Sequence, residues 1–559
     1  MKINSSINFR LANYFFLAIT FSLPLTAIIY LSALYTNNIP AMDDYTVILK
    51  NLIILNDPSV TIQKKLIWLF SFHNEHRLAI PRLLSELNYL LYGKVSIKIL
   101  TLWGVFAWLG CIVIFIFEQR KYLEPASLFI AGMIIASPYH AQNLVWATSS
   151  IQNLAGLLFV FISFYCISND HTKIAIASSA IAILTTGGAI FCIVANMLYL
   201  LLSPKHKPKV ILFHYLIYTL IIFTFFYGYS PPKEHAGISF VLHNLHQATL
   251  YFFYFLGNIT AGKLGIFLGF CLLCCYGLQW ATRYYLKNPT IFLLSSFVVL
   301  TACAATLNRS GYGSTQAFAS RYTIYTIIHM ACSFAFLKDI APSYIPKKYR
   351  ALSSQSITIA AFILASVLYT KSIKNAEYLM ANQTNNSLDF LLLYKSFGNT
   401  DYLPHPNKTY ATSILSKAKK AGIYELSDSN SFRRTFSTVE LYKGPALASE
   451  KTKASAIIKE QNNHFVHISG WAFGKSFETK KIYLLLAGHN RKLKLSTNTR
   501  IRPDITATYG GLFNNLDDSG FEAYIETSHL PKDSYNILVL LEGNNGKIRI
   551  GKTFKTLNL

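Results

Sequence analysis

The chain has 559 residues, of which 52% are apolar, and it carries a formal net charge of +25. The mean hydropathy of +0.34, together with 40 Phe and 35 Tyr, excludes an ordinary soluble domain and indicates an integral membrane protein. The positive charge does not indicate nucleic-acid binding. Lys and Arg cluster in short connectors between apolar runs, where they set membrane orientation, and in the polar C-terminal third.

The apolar runs predict eleven membrane spans within residues 1–370, since about 20 apolar residues are needed to cross the hydrocarbon layer. The expected spans are Leu11–Tyr35, Ile99–Phe117, Ala126–Ser137, Leu154–Ser168, Ile174–Thr185, Ala189–Leu202, Val210–Tyr229, Leu264–Ala281, Ile291–Thr306, Thr323–Leu337 and Ile357–Tyr369. Ile174–Thr185 and Ala189–Leu202 are taken as two spans that turn at Thr185-Thr186-Gly187-Gly188, because one continuous span would be unusually long.

Charge predicts the orientation of these spans. If the N-terminus is cytoplasmic, the connectors on the inner face are the basic ones, such as Ser203–Lys209 and Lys338–Arg350. The loop with Asp43 and Asp44 and all residues after Lys371 then face outward.

The chain after residue 370 has a different composition. Residues 371–455 are polar, with a helical piece at Ser413–Ala421, and are expected to form a connector. Residues 456–559 contain six strand-like segments with Gly, Asn and Asp turns, including a hairpin signal at 543–546, and predict a β-sandwich. The expected strands are His464–Trp471, Lys481–Ala487, Arg491–Leu495, Gly520–Glu526, Tyr535–Leu541 and Lys547–Phe554. The fold class is therefore mainly α, a polytopic helical membrane domain followed by a β-sandwich-like domain.

The first outer loop, residues 37–98, concentrates charge beside the bilayer, which is costly unless the charge binds something. Asp43 and Asp44, next to Tyr45, can accept a proton from a sugar hydroxyl or bind a divalent cation such as Mg or Mn. The alternative is a solvated turn after Pro40. Which carboxylate is the base, and whether a metal is needed, stays open.

The same loop carries His73, Glu75 and His76 as candidate substrate contacts, whereas Arg77 and Arg82 can bind a phosphate through paired N–H donors. A zinc site is disfavoured, because His73 and His76 have no third His or Cys nearby. The alternative for this segment is a helix cap with surface charges.

Two later outer loops add polar groups. Asn143, Trp146 and Gln152 belong to one, whereas Arg309, Arg321 and Tyr322 bracket the other. A cation at the mouth of a span, such as Arg321, either extends its charge to the interface or holds an anion. Together with the acidic pair, these residues predict a site for an anionic lipid headgroup and a polar acceptor.

The strings His73-Asn-Glu-His-Arg77, Asn143-Leu-Val-Trp146 and Ala319-Ser-Arg-Tyr322, with the acidic pair in the first outer loop, resemble bacterial GT-C glycosyltransferases of the O-antigen and serotype-converting type. The resemblance covers residues 1–370. It implies a polyprenyl-phosphate-linked sugar donor, a glycan or lipid-linked acceptor, and a multi-pass protein of the bacterial inner membrane with a periplasmic C-terminal domain. In that superfamily an outer-loop Asp is the proposed base or metal contact.

Two other functions fit part of the pattern. A flippase or exporter of lipid-linked glycans would also have many spans and basic lipid-phosphate pockets, but would not need the acidic pair or a large outer domain. An O-antigen polymerase would have its large outer loop late in the chain, whereas here the first outer loop is the large one. In the C-terminal domain, Trp471 is either a core residue or a ring that stacks on a sugar.

Overall fold

The structure, a computed structural model, describes residues 22, 24–231, 237–260, 262–344, 346–426, 435–443, 452–474, 479–500, 502–505, 508–509, 516–544 and 546–559. Most of the first half of the expected span Leu11–Tyr35, and Asn545 of the expected hairpin turn, lie outside the described residues. The contacts divide the chain into two compact units. One comprises Met1–Met380 with His405–Ser429, and the other comprises Ala381–Pro404 with Asn430–Leu559.

The first unit is helical. Its helices are α1 (Pro24–Tyr35), α2 (Tyr45–Asn56), α3 (Ile62–Phe70), α4 (Ala79–Tyr92), α5 (Ile97–Gln119), α6 (Pro125–Ile135), α7 (Ala147–Ser168), α8 (Thr172–Thr185), α9 (Gly187–Leu202), α10 (Pro208–Phe226), α11 (Gly237–His243), α12 (Leu245–Leu256), α13 (Gly262–Ala281), α14 (Pro289–Arg309), α15 (Thr323–Tyr344), α16 (Arg350–Phe397) and α17 (Lys408–Lys420). The division between the two units falls within α16.

Seven helical segments of the described chain are long and apolar enough to cross a membrane. They correspond to seven of the eleven expected spans and involve α5, α7, α10, α13, α14, α15 and α16. At three other positions the structure has shorter apolar helices, α6, α8 and α9, which at about 1.5 Å per residue fall short of a hydrocarbon layer of about 30 Å. Of the first expected span, the described part is the apolar helix α1. The membrane character is thus supported, whereas the number eleven is not.

The first outer loop folds into helices on either side of a short hairpin. Its strands, β1 (Phe72–His73) and β2 (His76–Arg77), pair antiparallel with His73 opposite His76. Asn74 in the turn has a φ of 52°, a left-handed conformation that Asn adopts more readily than most residues. The two histidines are therefore neighbours across the ladder, and Glu75 lies in the turn.

The second unit confirms the β-rich C-terminal region. Its strands are β3 (Val439–Leu441), β4 (Thr452–Gln461), β5 (Phe465–Gly474), β6 (Thr479–Ala487), β7 (Lys492–Ser496), β8 (Asn498–Arg500), β9 (Gly520–Glu526), β10 (Ser534–Gly543) and β11 (Ile548–Asn558). One antiparallel sheet has the order β11-β10-β6-β7-β3 and the other β4-β5-β9-β8. Residues from both sheets, such as Leu484, Val539, Ile468 and Ala523, share one hydrophobic core, which is the arrangement of a β-sandwich.

Candidate functional site

A cavity of about 320 Å³ in the first unit contains most of the residues that the sequence nominated. They reach it from the first outer loop, the start of α7, the end of α14 and the segment before α15. The nominated residues that line it are Asp43, His73, Glu75, His76, Trp146, Gln152, Arg309, Arg321 and Tyr322. The cavity therefore combines two carboxylates, two imidazoles and two guanidinium groups.

Asp43 lies at the entry of α2, directly after Met42, whose left-handed φ of 47° turns the chain. Its Oδ1 is 3.2 Å from Nε2 of His73, and its side chain is 43% exposed. Burial alone would raise the pKa of Asp43, but the hydrogen bond to His73 and the positive charge of Arg321 outweigh it and hold this pKa below its usual value. Asp43 is thus an ionised, accessible carboxylate.

Asp44 has a different environment. It is buried, and both of its oxygens accept hydrogen bonds. Oδ1 accepts from the backbone N–H and the hydroxyl of Thr148 at 2.8 and 2.6 Å, and Oδ2 accepts from the N–H of Ala41 at 2.9 Å. Burial raises the pKa of Asp44 to about 6, against the lowering effect of these bonds. Asp44 therefore ties the first outer loop to the start of α7.

The two carboxylates of the acidic pair have different partners. The oxygens of Asp44 are already bonded to Thr148 and Ala41, which leaves Asp43 as the available ligand of the pair. Within the described parts of the chain, no group of three or more His, Cys, Asp or Glu side chains is arranged to hold a metal ion. The expected Mg or Mn site at the acidic pair stays a prediction, with Asp43 as the carboxylate whose oxygens face the cavity.

Replacing Asp44 by Asn is expected to lower stability. The Asn amide would turn an N–H group toward one of the N–H or O–H donors from which Asp44 now accepts a hydrogen bond. An unsatisfied buried donor costs about 1–3 kcal/mol. The melting temperature of the purified protein measures this loss. Asp43→Asn is the matched control, and an equal melting temperature for the two variants would contradict the structural role of Asp44.

Glu75 and His76 of the hairpin form a linked group with Arg309. Arg309 donates through Nη2 to Oε1 of Glu75, and His76 Nε2 is 3.5 Å from the same oxygen. The backbone N–H of Gly187 donates to Nδ1 of His76 at 3.0 Å. Since that N–H can only donate, Nδ1 carries no proton and the Nε2 hydrogen faces Glu75.

The charges of this group agree with that tautomer. Burial lowers the pKa of His76 despite the neighbouring Glu75, so the ring is neutral at pH 7. Burial would raise the pKa of Glu75, but His76, which is protonated at the low pH where Glu75 titrates, and the guanidinium of Arg309 lower it more. The carboxylate of Glu75 thus neutralises Arg309.

Gly187 is required at its position by this contact. A Cβ there would lie 2.5 Å from the carbonyl oxygen of Glu75 and 2.8 Å from Nδ1 of His76. A Cβ at the adjacent Gly188 would meet nothing within 4 Å. In the sequence, the Gly-Gly pair between two apolar runs predicted a turn, but nothing connected this turn to the hairpin.

Gly187→Ala is expected to displace the hairpin and to destabilise the protein by about 1–3 kcal/mol, the usual cost of overpacking. Gly188→Ala should melt like the wild type. Thermal unfolding of the two variants in the same detergent makes the comparison, and equal melting temperatures would contradict the close packing at Gly187.

Arg321 is the cavity cation without a carboxylate partner among the described residues. Its guanidinium lies 4.9 Å from the ring centre of Tyr322 and 6.0 Å from that of Trp146. Its backbone is held from both sides, since its N–H donates to Gln142 and its carbonyl accepts from Asn143. The result is a positioned positive charge whose N–H donors remain largely available to an anion.

Five nominated residues lie outside the cavity lining. Tyr45 is buried against His405, and Asn143 supports the backbone of Arg321. Arg82 is buried, and its Nη1 donates to the carbonyls of Trp68, Leu69 and Ser71 at the C-terminal end of α3. The set is Asp44, Tyr45, Arg77, Arg82 and Asn143.

Arg77 likewise bonds backbone oxygens. It donates to the carbonyls of Phe70, Phe225 and Tyr227. Carbonyls at helix ends lack partners within the helix, and a cation there is also favoured by the helix dipole. The guanidinium groups of Arg77 and Arg82 thus stabilise local structure, where the sequence indicated phosphate binding.

The cavity wall also contains six aromatic rings that were missed from the sequence. These rings are Phe191, Phe225, Phe226, Tyr229, Phe255 and Tyr325, which come from α9, α10, α12, α15 and the residues just after α10. Uniformly apolar helices give no sign of which faces meet around a cavity. The site consequently combines polar and charged groups with aromatic rings.

No protein-family model matches this sequence, and no curated protein matches it either.

Proposed function

We propose that the protein is a membrane glycosyltransferase of the GT-C type. It moves a sugar from a polyprenyl-phosphate carrier to a glycan or lipid-linked acceptor on the outer face of the bacterial inner membrane. The observation that carries this proposal is the juxtaposition in one cavity of an ionised carboxylate, Asp43, and an unpaired cation, Arg321. A base and an anion site are the two groups that this transfer requires.

In the proposed reaction, the acceptor hydroxyl oxygen attacks the anomeric carbon of the donor sugar. The bond between that carbon and the phosphate oxygen breaks, its electron pair leaves with the phosphate, and the hydroxyl proton passes to Asp43. Arg321 stabilises the negative charge that develops on the leaving phosphate. Attack opposite the leaving group inverts the anomeric configuration.

The remaining residues have supporting roles in this proposal. His73 orients Asp43 through their hydrogen bond. Gln152, Asn153 and Asn74 present side-chain amides to the cavity and are suited to sugar hydroxyls. The linked Glu75 and Arg309 hold the hairpin in place and leave Arg321 as the phosphate contact.

Comparing wild-type and deletion strains tests the proposal. If the chain is a transferase, the deletion strain should lack one sugar in its surface glycan and accumulate the unused lipid-linked donor. Purified protein should then complete the transfer when it is given that donor and acceptor. Identical glycans in the two strains would overturn the assignment.

The outward orientation of residues 371–559 is expected from the basic connectors. Reporter fusions after Thr400 and after Gly470 are therefore expected to be active only with a reporter that works outside the cytoplasm. A cytoplasmic signal at either fusion would contradict the membrane orientation, and with it the outward-facing site.

A further inference from the structure

The outer face of the sheet β4-β5-β9-β8 carries aromatic rings that the hydrophobic core of the second unit does not use. Along β5, Ile468 and Ala472 belong to the core that the two sheets share, and the alternate residues Trp471 and Phe473 point to the opposite face. Both of these rings are only partly buried. Trp471 is therefore not a core residue of the sandwich, which leaves the other role that the sequence indicated for it.

Trp471, Phe473 and Tyr509 form an aromatic patch on this face. The ring centres of Trp471 and Phe473 are 5.7 Å apart, with their planes 20° from parallel. The ring centre of Tyr509 lies 5.4 Å from each of them, and Tyr509 is 41% exposed. Because aromatic rings bind well to other flat, partly apolar rings, a cluster of this kind is suited to stacking.

The other end of the same face is covered by the chain itself. There Phe465 and Tyr524 are buried and pack against Leu393 and Phe397, from the last part of α16. At the aromatic patch, in contrast, the ring contacts within the described part of the chain are those among its own three members. The patch is thus the part of this face where rings remain accessible to a ligand.

A pair of polar groups borders the patch on the side of β9. Gly520 lies directly opposite Trp471, and Arg502 occupies the place of its missing side chain, since a Cβ there would be 2.5 Å from Cγ of Arg502. The guanidinium of Arg502 donates to both oxygens of Asp504, at 2.8 and 2.6 Å. These bonds hold the pKa of Asp504 below its usual value, so its carboxylate is ionised at neutral pH and accepts hydrogen bonds.

Lys453 supplies a positive charge on the side of β4. It lies directly opposite Phe473, and its Nζ is 4.6 Å from the ring centre of Tyr509. Clustered aromatic rings can also bind a quaternary ammonium group. Here an ammonium group already lies over one of the rings and would repel a second cation, so the charge of the patch favours a neutral or anionic ligand.

We propose that the aromatic patch is a carbohydrate-binding site, in which the face of a pyranose ring stacks on Trp471. A pyranose has C–H groups on its faces and hydroxyl groups at its edge, so it matches aromatic rings that are bordered by hydrogen-bond donors and acceptors. Lys453 and Arg502 donate to the hydroxyls, and Asp504 accepts from them. In the proposed function the bound glycan is the acceptor, and this identification of the occupant rests on that function.

Binding of a polysaccharide to the purified full-length protein in detergent tests the site. The probe is the surface polysaccharide of the deletion strain, released from its lipid by mild acid, and isothermal titration calorimetry measures its affinity. Trp471→Ala removes the stacking ring, whereas Trp471→Tyr keeps a ring at the same position. Phe554→Ala is the matched control, because Phe554 is an aromatic residue of β11, in the other sheet, and is 92% exposed.

Trp471→Ala is expected to weaken binding of the polysaccharide by about tenfold, as removal of one stacking ring does at other ring-binding sites. Trp471→Tyr should lose less, and Phe554→Ala should bind like the wild type. Asp504→Asn leaves the three rings in place and changes a carboxylate that is 42% exposed, so it does not depend on how well the sheet tolerates Trp471→Ala. It is expected to weaken binding by about threefold or more, the usual effect of one lost hydrogen bond.

Wild-type affinity in both Trp471→Ala and Asp504→Asn would mean that the rings only pack Tyr509 against the sheet, and would overturn the inference. Equal weakening by Phe554→Ala would also overturn it, because the effect would then not belong to the patch.

Two further results separate this inference from the proposed function. If the wild-type protein binds no polysaccharide, the carbohydrate site is overturned, while the sugar transfer is still decided by the comparison of the two strains. If the two strains have identical glycans but Trp471→Ala still weakens binding of the polysaccharide, the carbohydrate site stands, and its assignment to an acceptor fails with the proposed function.

Discussion

Asp43→Asn is expected to abolish most sugar transfer while leaving protein level and donor binding intact. The substitution keeps the shape of the side chain but replaces the basic carboxylate that would accept the hydroxyl proton with a neutral amide. Loss of a general base typically lowers the rate by about 10²–10⁴-fold. The rate of product formation with purified lipid-linked donor, measured beside donor binding, separates loss of the base from loss of the site.

Asp57→Asn is the matched control in the same outer loop. Asp57 bonds the backbone and hydroxyl of Ser59 in its own turn and does not line the cavity, so transfer should be near the wild-type rate. Full activity of Asp43→Asn would contradict the role of Asp43 as the base, whereas a wild-type protein that forms no product would favour the alternative of a lipid-linked glycan flippase.

Arg321→Ala is expected to impair use of the lipid-phosphate donor far more than Lys287→Ala, which removes a cation outside the cavity lining. Removing a cation from a charged contact in a poorly hydrated site costs about 2–5 kcal/mol. Arg309 cannot substitute for it, because its charge is already paired with Glu75. The affinity for undecaprenyl phosphate and the KM for the donor both report this loss.

Lys287→Ala is the control for a general effect of lost positive charge. Lys287 is exposed, pairs with Asp339 at 2.8 Å and does not line the cavity, so donor use should be unchanged. Equal donor kinetics for Arg321→Ala and Lys287→Ala would mean that Arg321 only extends its charge to the membrane interface.

The sequence predicted the contents of the cavity better than their roles. Charged and polar strings such as the one from His73 to Arg77 are unusual beside apolar runs. Because charge near a bilayer is costly, these strings were predicted to have a function. It could not separate Asp43 from Asp44. The two residues are adjacent in the sequence, and only the fold decides which carboxylate contacts Thr148 and which lines the cavity.

The arginines show the same limit. Composition counts guanidinium groups but does not reveal whether their donors are already used. Arg82 is engaged by carbonyls at the end of α3, whereas Arg321 is left beside two aromatic rings. Arg82 is bonded by backbone carbonyls, which every residue has. Which of them lie near Arg82 depends on the fold and cannot be predicted from the residue types.

Segment type was predicted better than segment length. The helical, apolar character of the first part of the chain and six of the strands of the second unit follow from hydrophobic periodicity. The short helices α6, α8 and α9 were predicted to be membrane spans, because apolar runs of similar composition form both full spans and shorter helices. Strands β3, β4 and β8 were missed, since polar and charged residues interrupt the apolar alternation in them.

The single unpaired cation of the cavity has a consequence for turnover. A sugar-phosphate lipid donor is a phosphodiester with one negative charge, whereas the spent carrier is a monoester with a charge of about −1.5 to −2 at neutral pH. In the proposed reaction, Arg321 therefore attracts the product more strongly than the substrate. The linked Glu75 and Arg309 add no net charge, and Asp43, which has taken up the hydroxyl proton, no longer repels the phosphate. Dissociation of the spent carrier would then limit the rate, and added undecaprenyl phosphate would act as a competitive product inhibitor.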